Sequence, residues 1–379
     1  MKSLLYLLLS FSCVRSISIS NNCPKLCECE LQADATTAVY CNRGGINDTN
    51  FYRILETAPT QISLLEIVGP EHRPNNFRWN DNLNRFGQLR ALRLVNCGIP
   101  ALSQSMHIKS LKQLDLSHNE IDSIQINSFK GLNALELLRL SNNRITSLPS
   151  GAFIYLKRLK HLAISYNNFS ELPSSFLRGP TNLEALELDG NPLDQTGQIN
   201  NLFNDVPDLK RLELNFCSLD DQKVAQLQLE KVSSVRRLGL GGNNLTEVPS
   251  SSFRALAHLE TIDLRHNKIR RIQPCAFCSC NITSVLLGHN LLGVNPKSIN
   301  TEAFSEVEIK VVDLSYNFFD EFESRLLGYA EASVETLDLS GNALPALKPV
   351  YTLTLPNLKH LHVADNKLGE LPLFLAARI

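Results

Sequence analysis

The side chains with the most chemistry in this chain are its cysteines. Four stand as Cys23-x3-Cys27-x-Cys29-x11-Cys41 in the context CPKLCECELQ, and Cys275, Cys278 and Cys280 crowd the segment PCAFCSCNIT. Thiols at such short intervals either oxidise to disulfides or hold zinc, and the compartment decides which. Lys2, the apolar run Leu4 to Phe11 and the small residues Ser16, Ser18 and Ser20 read as a secretory signal over residues 1–18. That run is too short to span a bilayer, and no later stretch reaches 18 consecutive apolar residues, so no membrane span is expected in this chain. Cleavage would remove Cys13 and leave the other cysteines in an oxidising environment, where disulfides are expected in preference to metal. The first four allow three pairings. Of the trio, a local bridge from Cys275 to Cys278 or Cys280 leaves one thiol over, and an interchain bridge is the alternative use for it.

These residues must be positioned by something, and the rest of the sequence is a repeat. A segment of the form L-x-x-L-x-L-x-x-(N or C)-x-L returns twelve times, closing on Cys97, Asn119, Asn143, Asn167, Asn191, Cys217, Asn243, Asn267, Asn290, Asn317, Asn342 and Asn366. Successive closing positions lie 22 to 27 residues apart, the period of leucine-rich repeats. The L-x-L core has period two, so its leucines share one face of a short strand and the residues between them share the other. An Asn where the chain leaves the strand can donate to and accept from backbone groups of adjacent coils. Cys97 and Cys217 are then small buried members of the same ladder, not redox groups. Phe129, Phe153, Phe253 and Phe277 recur ten residues after the ladder and are expected to stack toward the convex side.

LKQLDLSHNEI, LELLRLSNNRI and VETLDLSGNAL carry the motif most plainly, and with NRITSLPSGAFIYLKRL the chain resembles the typical extracellular subclass of the leucine-rich-repeat family. The resemblance implies an α/β repeat solenoid: a curved horseshoe with a parallel sheet on its concave face and a disulfide-stapled N-terminal cap. It divides the chain into a signal peptide (1–18), a cysteine-rich cap (22–60) and an array of about 12 to 13 repeats (61–379), the first being the degenerate ISLLEIVG at Ile62 to Gly69. It also implies the cap pairing Cys23 with Cys29 and Cys27 with Cys41. The longer periods from Asn191 to Asn243 and from Asn290 to Asn317 read as insertions in the loops. KLGELPLFLAARI lacks the cysteine cluster that usually closes such an array. Leu368, Leu371, Leu373, Phe374 and Leu375 are therefore expected at an open end, covered by a partner, by self-association or by chain continuing beyond Ile379.

Residues two, four and six before each ladder position should line the concave face. The middle column reads Arg93, Asp115, Arg139, Ala163, Glu187, Glu213, Gly239, Asp263, Leu286, Asp313, Asp338 and His362. Glu187, Asp189, Arg211, Glu213, Arg237 and Arg265 form a central polar patch and the candidate contact with a partner. Tyr166, Phe216 and Tyr316, one residue before the ladder, are either lateral packing or contact residues. His360 and His362 alternate on the last strand near Asp338 and Asp313, a zinc- or copper-like set, but such pairs arise readily by chance and no metal is assigned. Asn47, Asn168, Asn244 and Asn281 begin N-x-S/T sequons for glycosylation.

There is no G-x-S-x-G, H-E-x-x-H or P-loop, and GLGGNN at Gly239 to Asn244 lacks the third glycine of a dinucleotide fingerprint. With 37 basic and 38 acidic residues the net charge is −1, which gives no global field to attract nucleic acid. The reading is a secreted, non-catalytic scaffold without cofactor that binds an extracellular protein or matrix component, in adhesion, matrix organisation or ligand capture. Its alternative is the ectodomain of a membrane receptor, at the cell surface. Self-association through the open C-terminal end or the Cys275, Cys278 and Cys280 cluster is a further expectation.

Overall fold

In the computed structural model, the structure describes residues 23–102, 106–169, 172–193, 199–278, 280–295, 297–346 and 355–369. The signal segment and Leu371, Leu373, Phe374 and Leu375 lie outside them. The chain is a curved leucine-rich-repeat solenoid. Among the described residues fifteen strands form one open sheet in sequence order. A hairpin of β1 (Glu28–Leu31) and β2 (Thr37–Tyr40) begins it, antiparallel. From β2 onward every pair is parallel, through β3 (Ile62–Val68), β4 (Ala91–Val95) and the three-residue strands from β5 (Gln113–Asp115) to β15 (His360–His362).

Each strand is short because its motif offers only two inward leucines before the chain must turn. Those leucines, such as Leu114 and Leu116 or Leu212 and Leu214, are fully buried. The turn leaves backbone groups without strand partners, and the ladder asparagines take them up. Every ladder Asn amide nitrogen donates to the carbonyl three residues earlier and to a carbonyl of the preceding coil, as Asn119 does to Leu116 O (2.8 Å) and Leu94 O (2.7 Å). Every ladder Oδ1 accepts an N–H from the preceding coil. Cys97 and Cys217 have no such amide. Their Sγ atoms lie 3.4 Å from carbonyl oxygens, and burial pushes both thiols up to about 12.

The ladder starts one coil before the motif does. Asn75, 2% exposed, accepts from Ile46 N (2.9 Å) and donates to Cys97 Sγ (3.5 Å). The insertion PEHRPN after Gly69 moves it out of register with the consensus, which hid it from the sequence pattern. The phenylalanine spine is also longer than its ten-residue offset suggests. Phe129 stacks on Phe153 and Phe253 on Phe277, and Phe277 stacks in turn on Phe304, at 5.5 Å, fourteen residues after its own ladder position. The extra length of the Cys217 to Asn243 coil includes a helix, α2 (Asp221–Gln226), capped by Asp220 accepting from Lys223 N (2.8 Å).

At the N-terminal end, Cys23 is bonded to Cys29 and Cys27 to Cys41. With α1 (Asp48–Thr57), whose Phe51, Ile54 and Leu55 are buried, the two bridges cover the first coil. A solenoid needs this cover because each coil buries its core only against its neighbours. Toward the other end Leu358, Leu361, Val363 and Leu368 are half-buried against the core. Among the described residues no helix is long and apolar enough to cross a membrane.

Asn191 is fully buried, donates to Ile164 O and Leu188 O and accepts from Asn167 N. Asn191→Ala strands those backbone groups and is expected to cost about 3 kcal/mol in urea unfolding, whereas Asn191→Cys, the residue two other coils use, costs clearly less. In the cap, Cys41→Ser breaks a bridge worth about 2–5 kcal/mol and should sharply lower the amount of protein secreted by cultured cells relative to wild type.

Candidate functional site on the concave face

The parallel register carries the middle column unbroken from Glu66 through Arg93 to His362, so side chains from successive coils stand beside one another about 4.8 Å apart. Neighbours of opposite sign pair across strands. Glu66 pairs with Arg93, and Asp115 lies between Arg93 (3.8 Å) and Arg139 (3.6 Å).

The six central candidates form adjoining units rather than one constellation. Glu187 pairs with Arg211 and with His161 Nε2 (3.0 Å). Arg237 Nε donates to Glu213 (2.7 Å). Arg265 grips Asp263 with Nε (3.0 Å) and Nη2 (2.6 Å), a partner drawn from the middle column. Asp189 has no ion-pair partner among the described residues; its Oδ1 accepts from Asn215 N (2.8 Å) and Nδ2 (2.9 Å). Gly239 makes room for this cluster, since a Cβ there would lie 2.1 Å from Glu213 Oε2.

The electrostatics follow from these contacts. Burial alone would raise Glu187, but the His161 hydrogen bond and the charges of His161, Arg211 and Arg139 outweigh it and hold the carboxyl below its usual value. Burial raises Asp189 to about 6, reinforced by Glu213 and Glu187 and opposed by the Asn215 donors.

One feature of the strand margins lies outside the three columns read from the sequence. Seven residues before each ladder position runs a charge zipper: Lys112–Glu136–Lys160, Glu184–Lys210, Arg236–Glu260 and Lys310–Glu335–Lys359. The alternation of Lys or Arg with Glu at that offset was the available signal. It lapses at Thr283, which completes the Asn281 sequon and donates to Glu260 O (3.1 Å). On the opposite margin Tyr166, Phe216 and Tyr316 are 51%, 53% and 44% exposed. They lie along the sheet edge, not in the core.

Asn47, Asn168 and Asn281 are exposed, and Asn47 also caps α1 by accepting from Asn50 N (3.0 Å). Asn244 is half-buried, with Nδ2 donating to Ser218 O (3.4 Å). Cys275 is bonded to Cys278; Cys280 is free and buried, and burial pushes its thiol up to about 11. An interchain bridge would require Cys280 to leave the core. His360 and His362 are exposed on β15, and among the described residues no group of three His, Cys, Asp or Glu side chains converges on a metal position.

Leucine rich repeat models match residues 87–145, 135–193 and 233–292. Human keratocan is 30% identical over 285 residues, 68% of this chain and 74% of keratocan. The chain belongs to the extracellular leucine-rich-repeat family. Within that family, human lumican is 28% identical over 195 residues, covering 50% of this chain and 53% of lumican. Transforming growth factor beta activator LRRC32 of Pongo abelii is 32% identical over 160 residues, covering 39% of this chain and 23% of that protein. The match therefore spans about half of lumican and about a quarter of the activator. Among solved structures, mouse RP105 in its complex with MD-1 superposes with a TM-score of 0.61 at 22% identity, over 87% of this chain and 58% of that one. A leucine-rich-repeat protein of Leptospira interrogans gives 0.59 at 23%, over 88% and 74%. These two likenesses concern the fold alone.

The Asp189 carboxyl supplies a pH signature. Its folded pKa lies above the unfolded value, so between about pH 4 and pH 6 the folded state holds more protons and stability falls as pH rises through that window. Asp189→Asn removes the penalty. Discounted for its partial exposure, the gain should be on the order of 1 kcal/mol at pH 7.5 and smaller at pH 5, read from urea midpoints at the two values.

Proposed function

We propose that this chain is a secreted, non-catalytic scaffold that binds another extracellular protein or matrix component through its concave face, in adhesion, matrix organisation or ligand capture. The observation that carries the reading is the face itself: thirteen parallel strands from β3 onward in continuous register, presenting ordered polar side chains. A face already ordered loses little conformational entropy on association, which favours recognition by a preformed surface. Membership of the extracellular family, the paired cap cysteines and the signal-like residues 1–18 support secretion. The growth-factor activator among the relatives is in keeping with binding as the activity.

Within the face, Glu187, Asp189, Arg211, Glu213, Arg237 and Arg265 are proposed as the contact. Glu213 and Asp263 are buried, but their arginines and both members of the Glu187–Arg211 pair are part-exposed, so an incoming acidic group can compete for Arg211, Arg237 and Arg265. Asn168 and Asn244, one residue past the ladder, would carry glycans on the strand margin and restrict the edge of approach.

The test is binding of the full secreted protein to a panel of purified matrix and cell-surface proteins by surface plasmon resonance. Saturable binding to at least one is expected, weakened at least about tenfold by Arg211→Ala, Arg237→Ala and Arg265→Ala combined. A saturable partner indifferent to the triple substitution would overturn the central patch, and no saturable partner would overturn the scaffold reading.

A further inference from the structure

The residue before each ladder position has positive φ in all twelve coils, from Asn96 (53°) to Asp365 (54°). This left-handed residue turns the chain off its strand and points its side chain along the sheet edge. Glycine or asparagine adopts that conformation most cheaply, and bulky residues there are uncommon. In this chain the position carries Tyr166, Phe216, His266, His289 and Tyr316, interleaved with Gly190, Gly242 and Gly341.

The interleaving is structural. A Cβ on Gly190 would lie 2.4 Å from the Tyr166 ring, one on Gly242 2.2 Å from Phe216, and one on Gly341 2.4 Å from Tyr316. Each ring therefore lies across the next coil's glycine. Where no glycine follows, rings stack: His266 on His289 at 4.2 Å and 16°, His289 on Tyr316 at 4.3 Å and 6°. Tyr316 donates its hydroxyl to Asp365 (2.8 Å). From Tyr166 to Gly341 the rings and glycines make a continuous exposed aromatic edge roughly 35 Å long at the strand spacing.

Beside its C-terminal part the concave column changes character. Asp313 accepts from Ser315 N (2.9 Å) and Oγ (2.6 Å), and Asp338 from Ser340 N (2.8 Å). Neither has a basic side chain within ion-pair distance among the described residues, unlike Glu187, Glu213 and Asp263. Asp313 leans over Gly288, where a Cβ would lie 3.0 Å from either carboxylate oxygen, one residue from His289. Burial and the charges of His266 and Arg265 hold His289 below the ordinary imidazole value against the pull of Asp313.

We propose that the His266–His289–Tyr316 stack and the carboxylates of Asp313 and Asp338 form a docking surface for a basic, apolar-flanked segment of an extracellular protein, an arginine seating on the carboxylates and its neighbours on the ring edges. The inference rests on the binding reading above and names the partner's chemistry. Rigid rings supply contact area at low entropic cost, and two neighbouring carboxylates held in no ion pair among the described residues, Asp313 only within the longer-range field of Arg265, select positive charge.

The experiment uses the full secreted chain and a fluorescent peptide alternating arginine and leucine, with a glutamate–leucine peptide as control, read by anisotropy. The arginine peptide is expected to bind and the control not. Asp313→Asn with Asp338→Asn keeps the serine hydrogen bonds, so the fold should persist, and should weaken binding about tenfold. Asp205→Asn with Asp208→Asn, a half-buried and an exposed acid elsewhere on the chain, should leave it unchanged. His289→Ala with Tyr316→Ala should cost roughly fivefold, while Tyr316→Phe, which keeps the stack, stays close to wild type. Equal effects of the two acid pairs, or no effect of either, would overturn the proposal. So would binding of a neutral oligosaccharide that needs the rings and ignores the acids. These outcomes leave the panel result above standing or falling separately.

Discussion

Everything in this molecule hangs on the amide of the ladder asparagine. A three-residue strand that turns away at once leaves buried carbonyls and N–H groups with no sheet partner, and each would cost on the order of 1–3 kcal/mol unpaired. One side chain answers in both directions, donating to its own coil and the preceding one and accepting from the preceding one. Because that contact spans two coils, it sets the distance and register between them as well as satisfying each. The leucines supply the driving force of burial, but they are interchangeable apolar volume; the asparagine makes the turn specific. Cys97 and Cys217 mark the tolerance of the arrangement, since a thiol fills the space and forgoes most of the hydrogen bonding.

The ladder imposes a second constraint one residue earlier. To bring the amide inward, the preceding residue must turn left-handed, and its side chain is then committed to the sheet edge. The rows that result have different freedom. Strand residues facing outward need only avoid unpaired charge, which explains the chain of Glu66, Arg93, Asp115 and Arg139. Edge residues must share a 4.8 Å spacing with like neighbours. Glycine next to a ring, or ring against ring, are the two ways of fitting large side chains into that spacing, and both occur.

Strand positions, the buried leucines and the consensus ladder asparagines were legible in the sequence because each is a statement about one coil, repeated. The cap was legible by resemblance, through four cysteines. What could not be read concerns relations between coils. The consensus offset hid Asn75 and Phe304, which do the same work from shifted positions after insertions. Glu187, Arg211, Glu213 and Arg237 were visible as a mixed patch, but which carboxylate holds which guanidinium depends on the register between strands. Tyr166, Phe216 and Tyr316 were ambiguous because a ring next to a glycine one coil later is an interaction between residues 24 to 26 positions apart.

Two margins of the same sheet have been put to opposite uses. Along the zipper each carboxylate already has one or two ammonium or guanidinium neighbours, all in contact with solvent, so the row contributes little per pair and offers a partner no unmet charge. Along the other margin the rings are fixed by glycine or by one another yet keep about half their surface in water. Covering that surface releases water from apolar area already ordered, at no further conformational cost to this chain. A rigid solenoid cannot reshape itself to fit a ligand. Its binding energy must come from area that is exposed, apolar and pre-ordered, and from charges held in no ion pair, and among the described residues those conditions coincide where the aromatic edge passes Asp313 and Asp338.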